Sequence, residues 1–154
     1  MHHDPITIYT DGSSRGNPGP GGYGVILLWK GHVKEISAGY KKTTNNRMEL
    51  MAVIAGLEAL KYRDLKVQIY SDSQYVVNSV SKGWLKNWIA TDFKGGKKNK
   101  DLWLWYASLA KQHHIEFHWV KGHDTNAYNN RCDELATQAA DGGELLEDEG
   151  FIEG

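Results

Sequence analysis

The chain has a single cysteine, Cys132, among its 154 residues. One thiol excludes an internal disulfide and fits a reducing compartment. No apolar run approaches the roughly 20 residues of a membrane-spanning helix. The opening Met1-His2-His3-Asp4-Pro5 lacks the apolar segment of a secretory signal. A cytoplasmic setting with no membrane partner is therefore expected. No Cys/His cluster has zinc-binding spacing. The segment from Asp141 onward has no Lys or Arg, yet it holds six of the 19 acids. The other 13 acids face 18 bases, so a body of charge +5 carries a detached acidic end. Residues 142–154 are expected to be a solvated, disordered tail to a domain spanning 1–141. A basic body is compatible with a polyanionic partner. Hydrophobic content of 40% and charged content of 24% are ordinary for one globular domain.

Two β-rich runs resemble each other. Ile6-Thr7-Ile8-Tyr9-Thr10 ends on Asp11, and Val67-Gln68-Ile69-Tyr70-Ser71 ends on Asp72. Ligands bind beyond the carboxyl ends of strands in open α/β sheets. Neighbouring parallel strands lie about 4.8 Å apart. Two aspartates that close repel each other unless a cation sits between them.

Between these runs, the stretch from Gly12 to Gly22 is turn-rich and cannot be helix. It lacks the Gly-Lys-Ser/Thr ending of a mononucleotide loop, and a tight link to the next strand is the simpler reading. Residues 23–29 and 33–40 read as a hairpin around Lys30-Gly31-His32. Residues 43–46 offer helix caps, and 47–60 reads as a nearly all-apolar helix. Glu49 in its first turn either complements the helix dipole or is a buried functional acid. A short helix is expected over 73–80, with Ser73 as its cap. From Lys82 to Trp105, lysines alternate with aromatics, a pattern suited to phosphates and bases. The competing reading is a helix pair with core tryptophans. It is preferred for residues 101–110, and the nucleic-acid reading for Trp84, Trp88 and the lysines. A strand over 115–120, a polar loop and a helix over 128–140 complete the chain. His113 and His114 read as surface residues and Cys132 as a packing residue.

Six blocks taken together resemble the type 1 ribonuclease H family, especially its bacterial members. They are Tyr9–Ser13, Gly19–Gly24, Thr44–Leu50, Ser71–Val76, Trp119–His123 and Arg131–Ala136. The resemblance covers about residues 5 to 141. It implies an α/β, ribonuclease H-like fold: a five-stranded mixed sheet, second strand antiparallel, flanked by helices. It also implies that Asp11, Glu49, Asp72 and Asp133 hold two Mg²⁺ ions, with Mn²⁺ as a substitute; hard oxygen donors suit both. The implied reaction is two-metal hydrolysis of the RNA strand of RNA–DNA hybrids, leaving 5′-phosphate and 3′-hydroxyl ends. His123 is implied to assist proton transfer or product departure. Ser13, Asn45, Glu49 and Gln74 are implied contacts for RNA 2′-hydroxyls, and Asn17, Thr44 and Asn46 for a DNA phosphate. Trp84, Trp88, Lys97, Lys98 and Lys100 fall on a basic protrusion that grips the duplex. A monomer binding backbone rather than bases would cut almost any sequence. Two other readings are a DNA strand-transfer or junction nuclease on the same fold, and a hybrid-binding module without catalysis.

Overall fold

The computed structural model describes residues 5–121 and 126–151. Its elements, in chain order, are β1 (Ile6–Ser14), β2 (Gly19–Trp29), β3 (His32–Thr43), α1 (Asn45–Glu58), β4 (Lys66–Ser71), α2 (Gln74–Ser81), α3 (Trp84–Ala90), α4 (Lys100–Ala110), β5 (His114–Trp119), α5 (Ala127–Ala140) and β6 (Leu145–Leu146). The sheet order is β5-β4-β1-β2-β3-β6. β2 runs antiparallel to β1 and to β3, while β4 and β5 run parallel to β1. The five expected strands are thus present, and β2 has the expected direction.

The alternation in β1 and β4 decides which face is covered. Ile6, Ile8, Val67 and Ile69 point into the main core against α1. Helix α1 is buried almost throughout because the sheet lies on one side of it and α4 on the other. On the opposite face, Cys132 and Leu135 of α5 pack with Ile26, Tyr9 and Leu28. The caps are side chains, as the chain chemistry dictates. Thr44, Ser73 and Asn126 accept the N–H groups of Arg47, Val76 and Asn129. No described helix is long and apolar enough to cross a membrane.

Three expectations need correction. β1 does not stop at Asp11 but continues through Gly12 to Ser14, paired with β2. The glycine stretch 19–22 is the start of β2, not part of a link. A Cβ on Gly24 would lie 2.3 Å from the Cys132 carbonyl oxygen, and one on Gly22 2.5 Å from that of Ala136. Those residues are bare so that α5 can rest on the strand. Finally, the described part of the acidic end, through Phe151, is not a loose tail. Leu145 and Leu146 add β6 alongside β3, making a sixth strand. Asp148 pairs with Arg47, and Glu147 with Lys41. Cross-strand pairing and a buried partner for Asp148 outweigh the solvation that composition favours.

The tryptophans divide differently from the simple core-or-surface choice. Trp103 is fully buried. Trp88 packs against Tyr75, Phe93 and Trp103 while Lys97 lies over its ring. Trp105, expected in the core, is exposed and donates to Glu58 Oε1 at 2.8 Å.

Candidate active site

Asp11 and Asp72 emerge from adjacent parallel strands whose register pairs Thr10 with Ser71. Glu49 comes to them from α1 because β1 and α1 touch at Gly12. A Cβ there would lie 2.3 Å from the Met48 carbonyl carbon and 2.4 Å from the Glu49 nitrogen. Only a bare backbone permits that approach. One carboxylate oxygen each from Asp11, Glu49 and Asp72 lies within 4.8 Å of the others. Asp133, on α5, is near enough to Asp11 to raise its pKa by charge and hydrogen bonding.

The electrostatics are those of a cation site. Burial, with Asp72 next and Asp133 adding, pushes the Asp11 carboxyl up from 3.8 to about 8. Burial, then Asp11 and Asp72, drives Glu49 well above the ordinary carboxylate range. Glu49 Oε2 is buried and has no hydrogen-bond partner among the described residues. Burying such an oxygen is costly unless a ligand completes it. Hard oxygen donors, mutual repulsion and an orphaned buried oxygen all fit a divalent cation. The family blocks around these acids carry the same implication.

At the start of α1, the helix that carries Glu49, lies an open trough of about 1510 Å³ that none of the four acids lines. One wall holds Asn17, Thr44, Asn45 and Asn46; the other holds Trp88, Lys97, Lys98 and Lys100. Asn17 Oδ1 accepts the Asn45 N–H at 2.8 Å, which ties the glycine loop to the start of α1. That bond engages the amide oxygen of Asn17 and leaves the amide nitrogen to donate elsewhere. Asn45 and Asn46 are within about one helical turn of Glu49. Ser13, in β1, and the exposed Gln74, first residue of α2, follow Asp11 and Asp72 closely in the chain. Trp84 is exposed but does not line the trough; Lys82 lies over its ring. His123 lies outside the described residues.

Two residues were missed. Trp119, at the end of β5, donates its indole N–H to the backbone carbonyl of Asp72 at 3.1 Å. Arg47, its side chain only 3% exposed, is paired on both sides with carboxylates. A cation in the first turn of a nearly all-apolar helix was the available signal for Arg47. Nothing local marks Trp119, whose partner is 47 residues away.

Comparison with known proteins decides the class. The family model for RNase H matches residues 3–141. The chain belongs to the RNase H family. As an RNase H it is a metal-dependent endoribonuclease. It is 55% identical over 139 residues to Ribonuclease H of Desulforamulus reducens, covering 88% of this chain and 87% of that one. It is 56% identical over 153 residues to Ribonuclease H of Lachnoclostridium phytofermentans, covering 93% and 96%. Among solved structures, it resembles LC9-RNase H1, a type 1 RNase H with the type 2 active-site motif. The TM-score is 0.82 at 26% identity, covering 100% of this chain and 79% of that one. LC11-RNase H1, solved in complex with RNA/DNA hybrid, matches with a TM-score of 0.68 at 30% identity, covering 88% and 96%. The type 1 RNase H fold therefore surrounds the carboxylate cluster.

Proposed function

We propose that the protein hydrolyses the RNA strand of RNA–DNA hybrids, leaving 5′-phosphate and 3′-hydroxyl ends. The observation that carries this reading is the convergence of Asp11, Glu49 and Asp72 in an RNase H chain, with the first residues of the Glu49 helix lining a lysine-rich trough. The hybrid complex of its relative LC11-RNase H1 supports the substrate.

In this reading Asp11, Glu49, Asp72 and Asp133, all within the catalytic unit 1–141, hold two Mg²⁺ ions, or Mn²⁺ in their place. When bound, such ions supply an activated water for in-line attack and offset charge on the departing 3′ oxygen. The protein's own contribution is to hold four carboxylates on four separate elements in one small volume. Asp11, which interacts with each of the other three acids, would be the central member of that donor set. His123 assists proton transfer or product departure. Ser13, Asn45, Glu49 and Gln74 read RNA 2′-hydroxyls, the feature that distinguishes RNA from DNA. Asn17, Thr44 and Asn46 hold a DNA phosphate. Trp88 and the protrusion lysines grip the duplex, with Trp84 at its edge. Contacts of this kind position the duplex without reading bases, so cleavage is nearly sequence-independent. The single cysteine supports a cytoplasmic setting, and a site complete within one chain supports a monomer.

The deciding assay offers hybrid, double-stranded DNA and double-stranded RNA with and without Mg²⁺. Cleavage of hybrid alone, and only with Mg²⁺, is expected. Cutting of double-stranded DNA at the hybrid rate would favour the junction-nuclease reading. Binding of hybrid without cleavage under either Mg²⁺ or Mn²⁺ would leave a binding module.

The trough makes a second prediction. Replacing Lys97 and Lys98 with Ala should weaken hybrid binding and lower the salt slope of affinity by about 1 per lysine. Lys100 should matter less, because its Nζ is already paired with Asp92 at 2.7 Å. An unchanged slope in titrations across salt would remove these lysines from the interface.

A further inference from the structure

The two walls of the trough belong to different parts of the chain, and one buried side chain joins them. Arg47 Nε and Nη2 donate to Asp148 Oδ2 and Oδ1 at 2.7 and 2.9 Å. Its Nη1 and Nη2 donate to Asp101 Oδ1 and Oδ2 at 2.9 and 2.7 Å. The remaining Nη1 proton points to Asn99 Oδ1 at 3.3 Å. All five donors of the guanidinium are thereby used. Thr43 Oγ1 donates to Asp148 Oδ2 at 2.6 Å, bringing in the end of β3. Asn99 in turn donates to the Tyr75 hydroxyl at 3.1 Å. The backbone at Gly150 lies on this clamp: a Cβ there would meet Asp101 Oδ2 at 1.8 Å and Arg47 Nη2 at 2.9 Å. Glu149, Gly150 and Phe151 then line the trough itself.

Arg47 is one residue from Asn46, and Asn99 is one residue from both Lys98 and Lys100. The clamp therefore fixes backbone immediately beside the substrate-facing side chains of both walls. A buried ion pair is weak evidence for stability, since desolvation cancels much of its attraction. What a doubly forked arginine does supply is geometry. A duplex presents its phosphates at set spacings, so walls at the wrong separation cannot both contact it.

We propose that Asp148, and with it the C-terminal segment, is a positioning element of the hybrid-binding trough: through Arg47 it sets the distance between the Thr44–Asn46 wall and the Lys97–Lys100 wall. This rests on the trough being the hybrid site. Asp11 and Asp72 come from β1 and β4, outside the clamp, and Glu49 is held by the Gly12 contact. Loosening the clamp therefore removes binding that ground state and transition state share, which raises KM and spares kcat.

The experiment compares Asp148→Asn and Asp101→Asn in the full chain, with Asp148→Glu as the conservative rescue. Hybrid cleavage is measured well below each variant's thermal midpoint, with Mg²⁺ binding followed by calorimetry. A five- to tenfold rise in KM is expected, of the order that coupled sites show, with kcat within about twofold. Mg²⁺ affinity should be unchanged, and Asp148→Glu should recover part of the loss. Adding Lys97→Ala and Lys98→Ala to Asp148→Asn should raise KM by less than the product of the separate effects. A purely structural clamp would instead lower the thermal midpoint and the active fraction with KM unchanged, and that result in both Asn variants overturns the proposal. If the lysine replacements alone leave hybrid affinity unchanged, the trough reading falls and takes this inference with it. If they weaken binding while Asp148→Asn and Asp101→Asn do not, only this inference falls.

Discussion

Asp11→Asn should abolish hybrid cleavage, by at least about a thousandfold, and at the same time stabilise the metal-free protein. The loss follows from removing a full charge from the most surrounded carboxylate of the cluster. Asn keeps an oxygen that can accept the Gly12 N–H, which Asp11 Oδ1 takes at 3.0 Å. Local structure is therefore preserved while the attraction for cations falls. The gain in stability follows from linkage. The folded state raises the Asp11 pKa from 3.8 to about 8 through burial, with Asp72 adding to it. A group raised on folding contributes its full stability below its unfolded pKa. That contribution is lost as pH climbs through the folded value. Metal-free wild type should accordingly weaken between about pH 4 and pH 8, and the Asn variant should weaken less, because Glu49 alone keeps its burial-raised carboxyl. At pH 7.5 the variant should be more stable by on the order of 2–4 kcal/mol. Added Mg²⁺ should narrow the gap by stabilising wild type alone. Denaturant melts of both proteins at pH 5 and pH 7.5, with EDTA and then with Mg²⁺, check every part. A gap that fails to widen with pH would contradict the charge argument.

Gly12→Ala should be among the most disruptive single methyl additions to the molecule, and the one that reaches the site directly. The added carbon would sit 2.3–2.5 Å from three backbone atoms of Met48 and Glu49. Main chain of a buried helix cannot rotate away as a side-chain tip can. Strand and helix must separate, at a cost of at least about 3 kcal/mol. Because Glu49 rides on that helix, its oxygen leaves the cluster even in molecules that stay folded. Cleavage per folded molecule should drop by about a hundredfold or more. The contrast is Gly31→Ala, in the β2–β3 turn, where nothing lies within 4 Å. Its φ of 78° costs roughly 1 kcal/mol of backbone strain, with activity intact. Equal losses in the two variants would show that conformational freedom, not close approach, makes Gly12 necessary.

These outcomes bear on what a chain displays locally. The strand runs that deliver Asp11 and Asp72 were readable because alternation and a following carboxylate lie within a few residues of each other, although β1 runs on past Asp11. The apolar helix carrying Glu49 was readable for the same reason, although only contact with β1 decides between a dipole partner and a buried acid. The glycines from 12 to 22 misled. Glycine-rich composition ordinarily signals turns, and here Gly12 admits the backbone of α1 while Gly22 admits that of α5, over 100 residues away. The acidic end misled similarly. Its composition is that of a solvated segment, and Leu145, Leu146 and Asp148 find partners in β3 and α1, about a hundred residues earlier. Pairing at that separation leaves no trace in periodicity.

Helix α5 lies with its main chain against the main chain of β2 at Gly22 and Gly24, with no side chain interposed. The offset between Asp133 and the sheet is therefore gauged by peptide dimensions, which do not vary from one sequence to the next. Packing elsewhere in the interior is free to drift, swapping one aliphatic group for another. The reach of the fourth acid toward the other three is insulated from that drift.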